Sequence, residues 1–356
     1  MQLYLSTWLG IEHPLNALSR WDWDDPIYMS WYKGRQVPLF KTLLSSTCTN
    51  DCKYCAFRRS RHTIRTAWKT EKLVNNVLKL WKMGRIEGFF LSSSVFKDPE
   101  SVVEKQLEIV KNLRMKGFKG YINLRLMPGT PKYLIEEASS YVDRLGVNIE
   151  AATPSVFYEI APDKGSYKND ILKVLDIASR IRKEKINDGI LKAGIATQII
   201  VGVGNDDLEI LKTTEFLLKK YKLTRVFYSP FEPIPNTPLE NHKPCSIDRV
   251  RRLYQAFYLM RDYNFSFEEF KVLINNKRMF LPYKNLKKAY ATINREFYPI
   301  DLRTADYSEL LKVPGIGPRT AKRIIWIREN GRLNIEELAK YTGLKRLKEI
   351  LKYAVL

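Results

Sequence analysis

Three of the four cysteines lie close together in the first sixth of the chain. Cys48, Cys52 and Cys55 have the spacing C-x3-C-x2-C and follow an apolar stretch that predicts a strand over 37–45. Thiolates in one short loop can wrap around a single metal centre. A four-iron cluster takes one cysteine per iron, so three cysteines leave one iron open to a small molecule. The spacing therefore predicts an iron–sulfur cluster whose open iron is a reaction site.

A structural zinc ion is the alternative use of these cysteines. Zinc would need a fourth protein ligand, for which His62 and Cys245 are the candidates. A cysteine loop after the first strand of an alternating βα pattern favours the cluster. Four cysteines in 356 residues form no disulfide framework, so we expect a reducing compartment, the cytoplasm. Cys245 stands alone after a proline, and we expect it to be inert.

Short apolar strands alternate with longer amphipathic helices from residue 37 onward. We predict strands over 37–45, 89–93, 121–127, 144–150, 193–201 and 225–228. A capping box, Ser101-x-x-Glu104, predicts the start of one helix. Six consecutive βα units with right-handed crossovers predict a partial (β/α)6 barrel of the TIM type, with its sites at the carboxyl ends of the strands. An open doubly wound sheet is the alternative.

Composition divides the chain into four segments. Residues 1–36 contain four of the seven tryptophans without a helical or strand period, which predicts an irregular aromatic segment packed against the main domain. We assign 37–240 to the barrel, 241–300 to a basic helical connector and 301–356 to an all-α domain. A proline-rich stretch ends the βα alternation just before residue 240, and a helix is predicted over 247–263.

The last segment contains a glycine-rich turn between two predicted helices. Gly315 and Gly317 allow a tight turn, and Pro318 suits the first position of the second helix. Free amide groups at that helix start, together with the helix dipole, form a site for a phosphodiester. The predicted contacts to nucleic acid are Gly315, Gly317, Arg319, Thr320 and Lys322. A second, degenerate hairpin with Gly343 at its turn is predicted over 333–353.

The turn and its flanking helices resemble the helix-hairpin-helix motif, which binds the DNA backbone without reading bases. A hairpin that serves only packing is the alternative. The chain carries 60 Lys and Arg against 39 Asp and Glu, a net charge of +21, and residues 241–356 hold 12 of that excess. Positive charge concentrated around the hairpin favours salt-sensitive, largely sequence-independent binding of nucleic acid over a generally basic surface.

Two further features bear on partners. Four arginines, at 58, 59, 61 and 65, follow the cysteines, and we expect them to bind phosphate or substrate; a solvated loop is the alternative. The longest apolar runs are far shorter than the roughly 20 residues that span a bilayer. The first residues lack the basic region of a signal peptide. We therefore expect a soluble protein without a membrane partner.

The cysteine motif, with the aromatic Tyr54 before its last cysteine, resembles the signature of the radical S-adenosylmethionine (SAM) superfamily. The resemblance implies that SAM binds the open iron of a [4Fe-4S] cluster, and that one electron cleaves SAM to methionine and a 5′-deoxyadenosyl radical. The SAM contacts that it implies are Tyr54, Ser92, Ser93, Ser94, Asn148, Glu150, Gln198 and Gly202. The three serines replace the glycine-rich turn of the superfamily. For the polar residues, a turn, a helix cap or a strand end is the alternative role.

Over nearly its whole length the chain resembles radical SAM proteins that are linked to DNA modification or repair. The segments IEGFFLSSS, GYINLRLMPGT and LLKVPGIGPRTA are among those that carry this match. The resemblance implies a radical enzyme that acts on DNA, an electron donor and, by genomic association, a uracil-DNA glycosylase as a partner. An enzyme of tRNA or other RNA, and a DNA-binding scaffold with a structural or redox-sensing cluster, are the alternatives. A second cluster cannot be built, because only Cys245 remains.

Overall fold

The computed structural model describes residues 27–32, 35–331 and 333–356, without the side chains of residues 31 and 32. The aromatic segment predicted over 1–36 therefore lies largely outside the described residues. The described chain forms two compact units. The first runs to Asn205 and continues with Phe216–Val250, and the second consists of Asp206–Glu215 and Arg251–Leu356. No helix among the described residues is long and apolar enough to cross a membrane.

The first unit contains a seven-stranded sheet whose strands lie side by side in chain order. They are β1 (Ile27–Tyr32), β2 (Arg35–Leu43), β3 (Gly88–Ser92), β4 (Tyr121–Arg125), β5 (Arg144–Gly146), β6 (Gly194–Val201) and β7 (Arg225–Pro230). The first pairs antiparallel with β2, and every later pair is parallel. The six predicted strands are confirmed. The described strands show no reversal of order, so the doubly wound alternative is wrong.

Helices follow the parallel strands, as predicted. They are α1 (Thr70–Lys82), α2 (Pro99–Met115), α3 (Lys132–Tyr141), α4 (Pro154–Ile160), α5 (Lys173–Glu184) and α6 (Asp207–Tyr221). The predicted capping box at Ser101 and Glu104 is wrong. Asp98 caps α2 instead, because its carboxylate accepts from the Ser101 amide at 2.8 Å and Pro99 occupies the first helical position.

The two faces of the sheet have different neighbours. Phe40, Phe89 and Ile122 lie in register on one face and are almost fully buried. Leu43, Ser92 and Arg125 follow these three residues by three positions each, so their side chains point to the opposite face of the sheet. There they line a cavity. Because the strands are parallel, the cavity gathers side chains from the carboxyl ends of all of them.

The C-terminal part of the chain is mainly helical. Its helices are α7 (Ile247–Tyr263), α8 (Phe267–Phe270), α9 (Leu286–Ile293), α10 (Tyr307–Lys312), α11 (Pro318–Asn330), α12 (Ile335–Thr342) and α13 (Leu344–Ile350). The bounds of α7 are those predicted. The last segment is not entirely helical, because β8 (Ile300–Asp301) and β9 (Ala354–Val355) pair in parallel.

Two hairpins share one core in the second unit. Helices α10 and α11 meet around Gly315, and α12 and α13 meet around Gly343; both glycines have positive φ, +91° and +77°. The shared core contains Leu310, Leu311, Val313, Ile316, Ala321, Ile324, Leu338, Leu347 and Ile350. A Cβ on Gly315 would lie 2.8 Å from Cγ1 of Ile350. The turn therefore requires glycine both for its backbone conformation and for its packing.

Candidate functional site

The cysteine loop joins β2 to α1 and is fixed by hydrogen bonds to neighbouring loops. The amide of Thr49 donates to the carbonyl of Val95 at 2.7 Å, and the amide of Lys53 donates to the carbonyl of Ile160 at 2.8 Å. These bonds tie the loop to the chain after β3 and to the end of α4. The loop is therefore held over the carboxyl ends of the strands by the backbone of two other loops.

Three of the four arginines after the cysteines hold this loop together. The Arg65 guanidinium donates to the carbonyls of Ser46, Phe57, Arg58 and Arg61 at 2.6–3.1 Å. Arg58 forms a bidentate pair with Asp51 at 2.8 and 2.5 Å.

Arg61 completes the set, since it donates to the carbonyls of Pro235 and Ala56. Only Arg59 has a largely exposed side chain. Arg58, Arg61 and Arg65 therefore each have protein acceptors in the structure, and binding of phosphate or substrate by the run stays a prediction.

The three clustered thiols line one cavity. Cys52 is buried, Cys48 and Cys55 are half-buried, and burial together with the charge of Cys52 raises the pKa of Cys55 to about 12. No three His, Cys, Asp or Glu side chains in the described ranges surround one point closely enough to bind a single metal ion. Three thiols that line one cavity are a donor set that fits a four-iron cluster, which takes each thiolate at a different iron.

The two candidates for a fourth zinc ligand lie elsewhere. His62 is exposed and does not line the cavity. Cys245 packs against Gly202, whose φ is +107°. A Cβ added at Gly202 would lie 2.6 Å from the Cβ of Cys245. Gly202 is not among the residues that line the cavity, and its contact with SAM stays a prediction.

The other predicted SAM contacts do meet at the cavity. Its lining includes Tyr54, Ser92, Ser93, Ser94, Asn148, Glu150 and Gln198. Two of these side chains have a buried oxygen without a hydrogen-bond partner among the described residues, Oδ1 of Asn148 and Oε2 of Glu150. A buried acceptor left unpaired costs about 1–3 kcal/mol. The two oxygens therefore fit a bound molecule that carries donors, such as the ammonium and hydroxyl groups of SAM.

Glu150 has a strained backbone and a buried ion pair. Its φ is +60°, and this conformation is held by its amide, which donates to Gln198, and by its carbonyl, which accepts from Ile200. Its Oε1 is paired with Nζ of Lys164, which also lies 3.4 Å from the Tyr54 hydroxyl. Sequence reasoning missed Lys164, since it follows α4 in an irregular loop without periodicity. Burial opposes its charge, but Glu150 and the thiols Cys52 and Cys55 keep the pKa of Lys164 above its usual value.

The buried charges of Glu150 and Lys164 are expected to depend on each other for stability. Lys164→Met leaves the Glu150 carboxylate buried without its cation, and we expect it to lower the free energy of unfolding by about 3–5 kcal/mol. The double variant Glu150→Gln/Lys164→Met removes both charges, so its loss should be smaller than that of Lys164→Met alone. Urea denaturation of the wild-type protein, the single variants Glu150→Gln and Lys164→Met and the double variant measures this coupling. Additive losses would show that the two side chains are independent.

The glycine turn in the second unit presents a free helix start. Gly317 occupies the N-cap of α11 without a side-chain cap, and Pro318 has no amide hydrogen. Arg319 and Lys322 are exposed and Thr320 is half-buried. Arg319 and Lys322 lie within the first five residues of α11, beside the amides of its first turn, and the anion site expected there stays a prediction. Lys287 Nζ donates to the Ile316 carbonyl at 2.5 Å and so supports the turn from behind.

Two exposed aromatic rings lie on the same unit. Trp326 is 50% exposed and Tyr341 is 48% exposed. The Arg323 guanidinium lies 4.2 Å from the first ring centre and 4.1 Å from the second. Arg319, Lys322, Arg323 and Trp326 are spaced three or four residues apart along α11, so they share one face.

Comparisons with known proteins find similarity in two separate parts of the chain. Residues 42–217 match the radical SAM superfamily, and residues 296–348 match the helix-hairpin-helix motif. Biotin synthase of Hydrogenobaculum sp. is 27% identical over 56% of this chain and 57% of its own length. Threonylcarbamoyladenosine tRNA methylthiotransferase of Danio rerio is 25% identical over 69% of this chain and 45% of its own length.

A solved structure shows the same fold. The maturase HydG of the [FeFe]-hydrogenase superposes with a TM-score of 0.51 and 16% identity, over 63% of this chain and 50% of that protein. The chain thus spans only about half of the length of the relatives that it matches. Radical SAM proteins use a [4Fe-4S] cluster and SAM, and the cavity described above offers ligands for both. The chain is therefore similar to radical SAM proteins over residues 42–217 and to the helix-hairpin-helix motif over residues 296–348.

Proposed function

We propose that this protein is a radical SAM enzyme that repairs or modifies DNA. The observation that carries the proposal is the cavity at the carboxyl ends of the strands. It brings together three thiols and two buried oxygens that lack hydrogen-bond partners among the described residues, in a chain that also matches a helix-hairpin-helix motif. A purely structural cluster would not need unpaired acceptors beside it.

The residues of the cavity have separate roles in this proposal. Cys48, Cys52 and Cys55 would hold a [4Fe-4S] cluster, which would pass one electron from an external donor to SAM and so supply the radical chemistry. Asn148 and Glu150 would accept hydrogen bonds from SAM through their unpaired oxygens. Tyr54 would contact the adenine.

The remaining polar lining completes the SAM site. Ser92, Ser93, Ser94 and Gln198 supply further hydrogen bonds to SAM from two more strands. Lys164 balances the charge of Glu150 and holds the carboxylate in one orientation.

The second unit would bind the nucleic acid backbone. Gly315, Gly317 and Thr320 present backbone amides to a phosphate, and Arg319 and Lys322 add positive charge. Because these groups contact only phosphates, binding would be salt-dependent and largely independent of sequence. Trp326 and Tyr341 add ring faces on which unpaired bases can stack. A base or sugar carbon can reach a barrel cavity only from a single strand or after the nucleotide leaves the duplex, and such stacking surfaces favour both.

The alternatives and the partners follow from the same features. Modification of tRNA or another RNA is the second candidate, and the similarity to a tRNA methylthiotransferase supports it. A DNA-binding scaffold with a structural or redox-sensing cluster is the third. We propose an electron donor and a uracil-DNA glycosylase as partners, a cytoplasmic location, and 37–240, 241–300 and 301–356 as the functional segments.

Cleavage of SAM is the direct test of the proposed function. Protein reconstituted with iron and sulfide without oxygen, then reduced with dithionite, is expected to form 5′-deoxyadenosine. Cys52→Ala should form none, because it cannot hold the cluster, whereas Cys245→Ser should keep the wild-type rate. The assay is run with undamaged, uracil-containing and ultraviolet-damaged duplexes, with single strands and with tRNA.

The pattern of the products decides among the candidates. Stimulation by DNA but not by tRNA supports the proposal, and the reverse supports RNA modification. Reconstituted protein that holds iron and forms no deoxyadenosine under any condition would leave the scaffold as the remaining reading.

Binding of DNA tests the hairpin separately. The double variant Arg319→Ala/Lys322→Ala is expected to weaken duplex binding, and to reduce the slope of log affinity against log salt concentration by about 2, one for each lost phosphate contact. Lys277→Ala/Lys284→Ala removes the same charge from exposed positions outside the hairpin and serves as the control. Fluorescence anisotropy at several salt concentrations measures both. Equal behaviour of the two double variants would show that only net charge matters.

A further inference from the structure

Arg125 is a buried cation that the proposed reaction has not yet used. It ends β4, is 4% exposed and lines the cavity. Its Nη1 donates to the carbonyl of Ala196 at 3.2 Å. Within the described ranges its guanidinium makes no other hydrogen bond and no ion pair. Four of its five N–H donors are therefore available, in a place where a charge without a partner costs several kcal/mol.

The position of Arg125 is set by packing. The centre of its guanidinium lies 5.7 Å from the ring of Phe90 and 5.2 Å from the ring of Phe227. A Cβ on Gly146 would lie 2.3 Å from Nη1 and 1.9 Å from the Ala196 carbonyl oxygen. Glycine at 146 thus leaves the space that the guanidinium occupies. The group is preorganised by rings and a glycine, and no carboxylate of the described residues forms an ion pair with it.

Other cations lie near Arg125. Burial and the charge of Arg144 lower its pKa to about 10, so it remains charged at neutral pH. Burial and the charge of Arg125 lower the pKa of Lys41 to about 8. The carboxylates that line the cavity are Glu150, which is paired with Lys164, and Glu232. This side of the cavity therefore attracts an anion that the described residues do not themselves supply.

We propose that Arg125 binds a phosphate group of the substrate inside the barrel. The planar guanidinium can donate two parallel hydrogen bonds to two phosphate oxygens, which a lysine cannot do. The inference rests on the proposed function in one respect: on a DNA or RNA substrate, this phosphate belongs to the nucleotide whose base or sugar enters the cavity. The carboxylate of SAM is the other source of an anion here, and the experiment separates the two.

The test compares nucleotides with nucleosides. The four deoxynucleoside 5′-monophosphates and the matching nucleosides are titrated into cluster-loaded protein by calorimetry, and SAM is titrated separately. For at least one base, wild-type protein is expected to bind the monophosphate at least tenfold more tightly than the nucleoside. Arg125→Met should abolish that preference and change the affinity for SAM by less than twofold. Arg180→Met, which removes an exposed arginine of the same unit, should change neither.

Each other outcome overturns the inference. If Arg125→Met weakens SAM binding and keeps the nucleotide preference, the anion is the SAM carboxylate. If neither affinity changes, or if wild-type protein shows no preference for any monophosphate, Arg125 has no anion-binding role. If Arg125→Met does not fold, Arg125→Lys is used, which keeps the positive charge but cannot donate two parallel hydrogen bonds. For Arg125→Lys, the logarithm of the ratio between the affinities for monophosphate and nucleoside should still fall by at least half. Formation of 5′-deoxyadenosine by the same wild-type preparation tests the proposed function independently.

Discussion

The parallel pairing of β2 to β7 in chain order is the constraint on which the rest of the structure depends. It sends the carboxyl end of every parallel strand to the same edge of the sheet, so loops that are far apart in sequence meet at one cavity. Cys48, Ser92, Asn148 and Gln198 come from four different strand ends and line the same space. A cluster loop alone would line no such cavity, because most of the residues proposed to contact SAM come from the other strands.

The electrostatics of the cavity follow from this convergence. Three thiols and Glu150 bring potential negative charge to one side, and Lys164 lies among them. Arg125 brings a positive charge without a carboxylate partner in the part of the chain that the structure describes. A protein that needed only to fold would gain by replacing such groups with apolar side chains. Their retention at the strand ends is explained by ligands, which in the proposed reaction are a cluster, SAM and an anionic substrate.

Much of the fold could be predicted from the sequence, because local patterns of residue types indicate it. The six parallel strands and the helix from Ile247 to Tyr263 follow from apolar periodicity, and the cysteine loop follows from its spacing. Lys164 and Arg125 could not be found in this way. Each acts through contacts across the fold, to Glu150 in one case and to Ala196 in the other, and neither has a local signal. For the arginines after the cysteines, a charged run predicts a phosphate site, whereas Arg65 donates hydrogen bonds to four carbonyls of its own loop. The sequence does not show these contacts, because they depend on how the loop folds.

We propose that the cavity holds a cluster whose open iron binds SAM. Electron paramagnetic resonance tests this binding most directly. The account predicts one reduced [4Fe-4S] cluster per chain in the reconstituted protein, with a spectrum that changes when SAM is added. The same change should be absent in protein that lacks Cys48, Cys52 or Cys55. A reduced cluster whose spectrum is identical with and without SAM, or a native protein that contains one zinc and no iron, would contradict the account.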